Sequence, residues 1–282
     1  MAYQDLLLHI DTYPTPTPAG AIGEAVAIAA ALGGKLTGLS FEIDIPLRSN
    51  RIADYLIGLS AIAEAEEARS RAACREGLEH FKTAATAAGV FEAAVIGKAD
   101  HYGVGAHVAR VARTRDLCVL PLIGDYDGQL EVAQEVVFGS GRPILAFRAG
   151  SASGLEKAAG RVVIAWDGSR SAARAMADAL PFLSRADEVR IMTAVGEKPG
   201  AIAKLGAEAQ RHLRMHGITA SLDDVDAGRE KIGAVLDRYV KQQTPDLLVM
   251  GAFGHSRAQE FLLGGATQHV LAKPPCPVLL SH

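Results

Sequence analysis

Two stretches decide the fold, residues 6–11 (LLLHID) near the start of the chain and residues 162–167 (VVIAWD) past its midpoint. Each is a short apolar run that ends in an aspartate, Asp11 or Asp167, and is followed by residues that break regular structure. An apolar run without polar alternation is typical of a parallel strand that is buried on both faces of a sheet. The two stretches are therefore predicted to be the first strands of two copies of one structural unit.

Two further matches follow in the same order along both halves of the chain. Residues 114–120 (TRDLCVL) match residues 244–250 (TPDLLVM), and residues 143–145 (PIL) match residues 277–279 (PVL). Between the halves, residues 149–160 are rich in Ala, Gly and Ser, which is typical of a linker, although a turn within one domain has the same composition. With 282 residues in all, the repeat predicts one domain at 1–149 and a second at 160–282.

In the second half, predicted strands alternate with predicted helices. Ser169 or Ser171 is placed to cap a helix that runs to about Phe182, and Gly217 ends a later one. This alternation predicts a doubly wound α/β domain, with the first half longer because of residues 44–59 and a helix over 62–89. The strands are predicted at 161–166, 188–194, 218–225, 246–250 and from 277, and the helices at about 200–216, 229–243 and 264–272.

Composition disfavours several classes of function. The formal net charge is −3 and no run of basic residues is present, so a nucleic-acid partner is not expected. No apolar run approaches the roughly 18–20 residues that span a membrane, and the N-terminus does not resemble a signal peptide. The three cysteines are far apart in the sequence, which indicates neither a disulfide framework nor a CxxC site, so we expect a cytoplasmic protein.

The strongest local pattern is a pair of glycine clusters in the second half. Gly251 and Gly254 follow a predicted strand, and Gly264, Gly265, Ala266 and Thr267 open a predicted helix. Ligands of open α/β sheets bind beyond the carboxyl ends of the strands, and a helix N-terminus presents free N–H groups to an anion. The pattern favours a phosphate-bearing ligand, while the alternative is that the glycines only shape tight turns.

At these residues both halves resemble universal stress protein domains, and the whole chain resembles a tandem member of that family. The ATP-binding members carry Gly, two residues, Gly, nine residues, Gly and then Ser or Thr, and Gly251, Gly254 and Gly264 match the three glycines. The resemblance implies a Rossmann-like sheet of order 3-2-1-4-5 in each half. It also implies that ATP or a related adenine nucleotide, with Mg²⁺ as an optional companion, binds at Asp167, Ala194, Val195, Gly251, Gly254, Gly264, Gly265, Ala266 and Thr267.

Two departures from the family pattern limit what the resemblance implies. Gly265 stands where the family has Ser or Thr, and Thr267 is the nearest hydroxyl that could replace it. In the first half the corresponding loop is taken as residues 124–127 (GDYD), with Asp127 at the second glycine, and the later cluster as residues 139–141 (GSG). Carboxylates in that loop would repel phosphate. We therefore expect the first half not to bind ATP in the family manner.

The function that the resemblance implies is that of a non-enzymatic stress-response regulator controlled by a nucleotide. The alternative is a scaffold of the same fold that has lost nucleotide binding, as Gly265 suggests. A slow ATPase is the third interpretation, although no general base or metal-binding carboxylate cluster is evident near the glycines. The last strands, at 143–147 and 277–281, would be exposed edges unless covered. We therefore expect the halves to pair as a pseudo-dimer, with a homodimer of chains as a further level.

Overall fold

The computed structural model describes residues 3–46, 58–124, 127–152, 154–155, 160–196, 203–252 and 265–282. Within these ranges the chain alternates strands and helices, as the sequence predicts. The strands are β1 (Asp5–Ile10), β2 (Lys35–Asp44), β3 (Phe91–Asp100), β4 (Leu117–Leu122), β5 (Ile144–Arg148), β6 (Arg161–Ala165), β7 (Glu188–Val195), β8 (Ala220–Asp226), β9 (Leu247–Gly251) and β10 (Val278–Ser281).

The strands form one sheet of ten in the order β3-β2-β1-β4-β5-β10-β9-β6-β7-β8. Every pair is parallel except β5 with β10, which is antiparallel. Each half therefore has the order 3-2-1-4-5, which is the order expected. The two five-stranded sheets are not separate, because they meet along their last strands and continue as a single sheet.

The β5–β10 pair joins the two halves through apolar contacts as well as backbone hydrogen bonds. Leu145 lies opposite Leu279, and Ala146 lies opposite Val278. All four side chains are fully buried. Each strand covers the edge of the other, so neither presents unpaired backbone groups to solvent.

Helices cover both faces of the sheet. The single helix that was predicted to run to Phe182 is divided into two helices. Pro181 explains the break, because it lacks an N–H and its ring would clash with the preceding turn of a continuous helix. None of the described helices is long and apolar enough to cross a membrane. The helices are α1 (Ala19–Leu32), α2 (Leu59–Ala87), α3 (Val104–Ala112), α4 (Asp127–Ser140), α5 (Arg170–Asp178), α6 (Leu180–Leu183), α7 (Ala203–Met215), α8 (Ile232–Gln243) and α9 (Gly265–Ala272).

The core has two apolar layers, one on each face of the sheet. In β1, Leu6, Leu8 and Ile10 enter the layer under α1 and α2, while Leu7 enters the layer under α3 and α4. Both layers run through the two halves without interruption. Cys118 and Cys276 are buried in the second layer, and burial raises the pKa of both thiols to about 12.

The segment predicted as a linker is packed against the first half where it is described. The Glu24 carboxylate accepts the backbone N–H groups of Gly150 and Ala152 at 2.9 and 3.1 Å. Ala152 and Leu155 are buried in the first apolar layer. The domain boundary at 149–160 itself stays a prediction.

Candidate functional site

Asp167 lies two residues beyond the end of β6, at the carboxyl end of the sheet. Its side chain is exposed, and Oδ1 accepts the backbone N–H of Ser169 at 2.9 Å. Ser169 in turn caps α5, because its hydroxyl accepts the backbone N–H of Ala172 at 3.1 Å. The Ser169 N–H thus holds the Asp167 carboxylate beside the start of α5.

The strand order reverses at β6. Ala165 pairs with Met192 of β7 on one side and with Met250 of β9 on the other. The chain leaves β6 towards β7, so β6 and β9 flank the switch point of the sheet, where ligands of doubly wound folds bind. The structure therefore places Asp167 between the end of β9, with Gly251, and the end of β7, with Ala194.

Several alanines lie near the end of β6 on one face of the sheet, where Met192 and Met250 flank Ala165. The strand β7 continues beyond Met192, the partner of Ala165, through Ala194 and Val195. The Val195 carbonyl accepts the N–H of Ala227 at 2.8 Å, which fixes this extension against β8. On the face covered by α8 and α9, the residues nearest the carboxyl ends of the strands and the start of α9 are Ala165, Ala194, Ala252 and Ala266.

Gly251 has a packing role that sequence analysis did not foresee. A Cβ atom on Gly251 would lie 2.6 Å from the carbonyl carbon of Ser171 and closer still to the nitrogen of Ala172. The absence of a side chain therefore lets the end of β9 approach the first turn of α5. This structural role of Gly251, which differs from the shaping of a tight turn, holds whether or not a ligand binds.

The other predicted phosphate-binding residues have different surroundings. Gly265 opens α9, is exposed, and has nothing within 4 Å of where a Cβ would stand. Ala266 packs against the second apolar layer, and Thr267 is 2% exposed. Gly254 and Gly264 lie outside the described residues.

The strand register corrects the alignment of the first half. Leu6 and Val162 are equivalent positions of the two first strands. Leu117 pairs with Leu6, and Leu247 pairs with Val162, so β4 and β9 correspond residue by residue. Pro121 therefore corresponds to Gly251 and Gly124, with φ +83°, to Gly254. The assignment of Asp127 to the second glycine was wrong, because that residue already begins α4.

The second glycine cluster of the first half was also misassigned. Gly139 and Ser140 lie in the last turn of α4, and Gly141, with φ +68°, follows its end. Gly265, by contrast, stands at the beginning of α9. The two clusters lie at opposite ends of their helices, so residues 139–141 are not a phosphate loop.

The same register identifies Phe41 as the counterpart of Ala194. His9 corresponds to Ala165. His9 pairs with Leu39, and Ala165 pairs with Met192. Phe41 lies two residues after Leu39, and Ala194 lies two residues after Met192, so these two residues correspond. The Phe41 ring is 4% exposed and lies with its centroid 6.1 Å from that of His9. An aromatic ring and an imidazole therefore fill in the first half the space that alanines border in the second.

A cleft nevertheless opens in the first half, at the carboxyl ends of β1 and β2. It is a shallow cleft of about 20 Å³ that is open to solvent. Sequence analysis missed it, although the exchange of Ala165 for a histidine between aligned first strands was a visible signal. Its lining includes His9, Asp11, Tyr13, Phe41, His101 and Glu131.

Two histidines four residues apart lie at the end of α7. His212 and His216 stack edge to face with ring centroids 4.8 Å apart at the end of α7. No group of three or more His, Cys, Asp or Glu side chains in the described part of the chain has an arrangement that could hold a metal ion.

Comparison with known proteins finds similarity in the second half of the chain. The model of the universal stress protein family matches residues 159–282. These residues of the second half are therefore similar to universal stress protein domains. A curated relative, the universal stress protein Slr1230 of Synechocystis, is 33% identical over 122 residues, which are 42% of this chain and 41% of that protein. The match thus spans well under half of the relative's length.

Solved structures extend the likeness to the whole chain at the level of fold. A universal stress protein of Archaeoglobus fulgidus superposes with a TM-score of 0.68 and 16% identity, covering 99% of this chain and 97% of the other. A universal stress protein in complex with cAMP covers 44% of this chain with a TM-score of 0.37 and 26% identity. A superposition as loose as the latter does not position its ligand on this chain.

Proposed function

We propose that the second half of the chain binds an adenine nucleotide, ATP or a close relative, and that binding regulates the protein's role in the stress response. The observation that carries the proposal is the position of Asp167 at the switch point of the sheet. The nearby side chains of Ala165 and Ala194 are small and leave more room than larger side chains would. A flat base needs such room, and a carboxylate at the strand end can accept hydrogen bonds from a ribose.

The polyphosphate would extend towards Gly251 and the start of α9. Gly265 is exposed there and leaves the first backbone N–H groups of the helix accessible, which suits an anion. Any Mg²⁺ would be held chiefly by the phosphates and by water, as Mg²⁺ usually is in nucleotide sites. Gly254 and Gly264 stay assigned to this loop as predictions.

The proposed role is that of a binding protein and not of an enzyme. Asp167 is an acidic group at the proposed site. Its Oδ1 already accepts a hydrogen bond from the Ser169 N–H, which is a positioning contact and not a catalytic one. Slow hydrolysis of bound ATP is compatible with this geometry and would appear as bound ADP.

A scaffold that has lost nucleotide binding is the second candidate. The observation that favours it is Gly265 at the family's Ser or Thr position, together with the burial of Thr267, whose hydroxyl is the nearest replacement. In this case no nucleotide would bind beside Asp167.

The cellular setting is part of the proposal. Cys74, Cys118 and Cys276 are free and buried, as is usual in a reducing compartment, so we place the protein in the cytoplasm. The joined β5 and β10 make the chain an internal pseudo-dimer. A homodimer of chains would then need other surfaces, and light scattering after size-exclusion chromatography reports the number of chains.

Mass spectrometry of the purified protein after gentle denaturation tests the proposal. We expect an adenine nucleotide to be released from the wild type and lost or strongly reduced in Asp167→Ala, because a lost hydrogen bond to a charged group costs about 1.5–3 kcal/mol. Asp224→Ala is the matched control, since it removes an exposed carboxylate from β8. A nucleotide-free wild type that also fails to bind added ATP would favour the scaffold.

A further inference from the structure

The strand β3 ends the sheet on the side of the first half, and its outer edge is open. Among the described residues it pairs with β2 alone. The strand is ten residues long and contains no proline. Val95 and Ile96 near its middle are 40% and 50% exposed, and the Lys98 side chain near its end is 83% exposed. Such an edge pairs readily with another strand, because its outward N–H and C=O groups lack backbone partners.

The ladder with β2 determines which residues of β3 face outwards. The N–H of Leu36 donates to the carbonyl of Val90 at 2.8 Å, so the even-numbered residues of β2 face β3. One of them, Gly38, is the partner of Ala94. In a parallel ladder, a residue that faces the neighbouring strand bonds to the residues before and after its partner. The odd-numbered residues of β3 therefore bond to β2, and the even-numbered ones from Ala94 to Lys98 direct their N–H and C=O groups outwards.

One antiparallel register of two β3 strands is self-complementary in hydrogen bonds and in charge. Antiparallel strands exchange hydrogen bonds between residues that face each other, so an outward-facing residue must meet another one. With Ala94 opposite Ile96 of the second copy this condition holds, and Val95 lies opposite its own copy on the twofold axis. The same register brings Glu92 opposite Lys98 at both ends. Apolar contacts at the centre and an ion pair at each end then stabilise the pairing.

Charge disfavours the neighbouring registers and the other end of the sheet. Sliding the two β3 strands by two residues in one direction brings Glu92 opposite Asp100, and sliding them in the other direction brings it opposite Ile96. The first shift creates a repulsion and the second loses the ion pairs. The strand at the opposite end of the sheet, β8, carries three acidic residues that would repel a second β8. They are Asp223, Asp224 and Asp226.

We propose that a second copy of this chain binds along β3, in the register that places Glu92 opposite Lys98. The two chains form a homodimer, and their two ten-stranded sheets become one continuous sheet. The pattern of the strand identifies the partner, because its apolar centre and its opposite charges at the two ends complement a second β3. The contact lies at the end of the sheet in the first half, away from the nucleotide site proposed in the second half, and does not depend on it.

Sedimentation velocity of the full chain over a range of concentrations tests the pairing. We expect the wild type to dimerise with a dissociation constant on the order of micromolar, as is usual for small interfaces. Lys98→Glu should weaken the dimer at least about tenfold, because an attraction at each end becomes a repulsion. Glu92→Lys should do the same, and the two changes together should restore the dimer. Lys241→Glu makes the same charge change at an exposed position of α8 and should have no effect.

The double variant separates the proposed register from a local effect of the charge change. Lys98→Glu also repels Glu42, whose Oε2 lies 3.9 Å from the Lys98 Nζ, but this repulsion persists when the dimer is restored. Hydrogen exchange is the second measurement: the amides of Ala94 and Ile96 should exchange more slowly as the chain concentration rises, while that of Val95, which bonds to β2, is slow throughout. The proposal is overturned if the wild type stays monomeric at every concentration, if the double variant dimerises as weakly as the single ones, or if a dimer forms while the amides of Ala94 and Ile96 stay fast.

Discussion

At the scale of single residues, the aspartates of the repeated T-x-D-L motif have a structural role. Asp116 Oδ2 accepts the backbone N–H groups of Gln4 and Asp5 at 2.9 and 3.0 Å, at the start of β1. Asp246 Oδ2 accepts the N–H of Arg161 at 2.8 Å, at the start of β6. Each aspartate therefore ties the beginning of one strand to its neighbour, and the motif that reveals the repeat explains the fold rather than the site.

Gly251 is a second residue whose role is structural, and this can be measured. Gly251→Ala should lower the free energy of unfolding by about 1–3 kcal/mol, because its Cβ would collide with the backbone of Ser171 and Ala172. Gly265→Ala is the control: it has open space around it at the first position of a helix, where alanine is favoured, and should be neutral or slightly stabilising. Urea denaturation measures both, and equal stability of the two variants would show that the close approach at Gly251 is misjudged.

At the scale of elements, hydrophobic patterns and breakers predicted most of the second half. The strand predicted at 188–194 is Glu188–Val195, and the helix predicted at 229–243 is Ile232–Gln243. Apolar runs predict these strands well, because a strand buried on both faces of a sheet consists of apolar residues. Gly217 follows the helix that ends at Met215, as expected, and has a φ of +76°. These local signals do not depend on the rest of the chain.

Register and close approach could not be predicted from local signals. The correspondence of Pro121 to Gly251, and of Phe41 to Ala194, follows from which strand residues pair across the sheet. The spacing of glycines along the loop instead led to the wrong assignment of Asp127 to the position of Gly254. The cleft of the first half was missed for the same reason, since it depends on side chains from β1, β2 and α4 that are distant in sequence.

A charged network ties the strands of the second half together and predicts a pH dependence. Glu188 accepts hydrogen bonds of 2.6 Å from Arg161 and from Arg190, which also contacts Asp223 at 3.0 Å. The bonds from Arg161 and then Arg190 hold the pKa of Glu188 below its ordinary value of 4.5. A depressed pKa means that this stabilisation is complete above about pH 4.5 and is lost as the pH falls below it.

Glu188→Gln should therefore lower the Tm near neutral pH, and the difference from the wild type should shrink as the pH falls below 4.5 and the wild-type carboxylate becomes protonated. Glu208→Gln, which removes an exposed carboxylate from α7, is the control and should show no such convergence. Circular dichroism melts across this pH range provide the measurement. A Tm difference for Glu188→Gln that is independent of pH would contradict the assignment.

At the scale of the whole molecule, contacts beyond the β5–β10 pair hold the halves together. The rings of Tyr3 and Phe182 meet edge to face at 5.8 Å, and the Tyr3 hydroxyl donates to the backbone oxygen of Asp178. Arg185 donates to the carbonyl of Ala31 at 2.5 Å. Both apolar layers are continuous across the junction, so we expect the halves to unfold together.

Hydrogen exchange tests the junction directly. Successive N–H groups of a strand point to opposite sides, so both alternate sets in Ile144–Arg148 and Val278–Ser281 should exchange slowly when β5 and β10 pair. The strand β8, at the end of the sheet, is the internal control and should have one fast alternate set. NMR-detected exchange with a fast alternate set in β5 or β10 would show that the strands are unpaired in solution.

Calorimetric titration with ATP tests most directly the central claim that nucleotide binds beside Asp167 in the second half only. The wild type should bind one nucleotide per chain. Ala194→Phe should abolish binding without unfolding the protein, because it places in the second half the ring that Phe41 provides in the first. Ala94→Phe, at an exposed position of β3, should bind as the wild type does. Two nucleotides per chain, or undiminished binding by Ala194→Phe, would contradict the account.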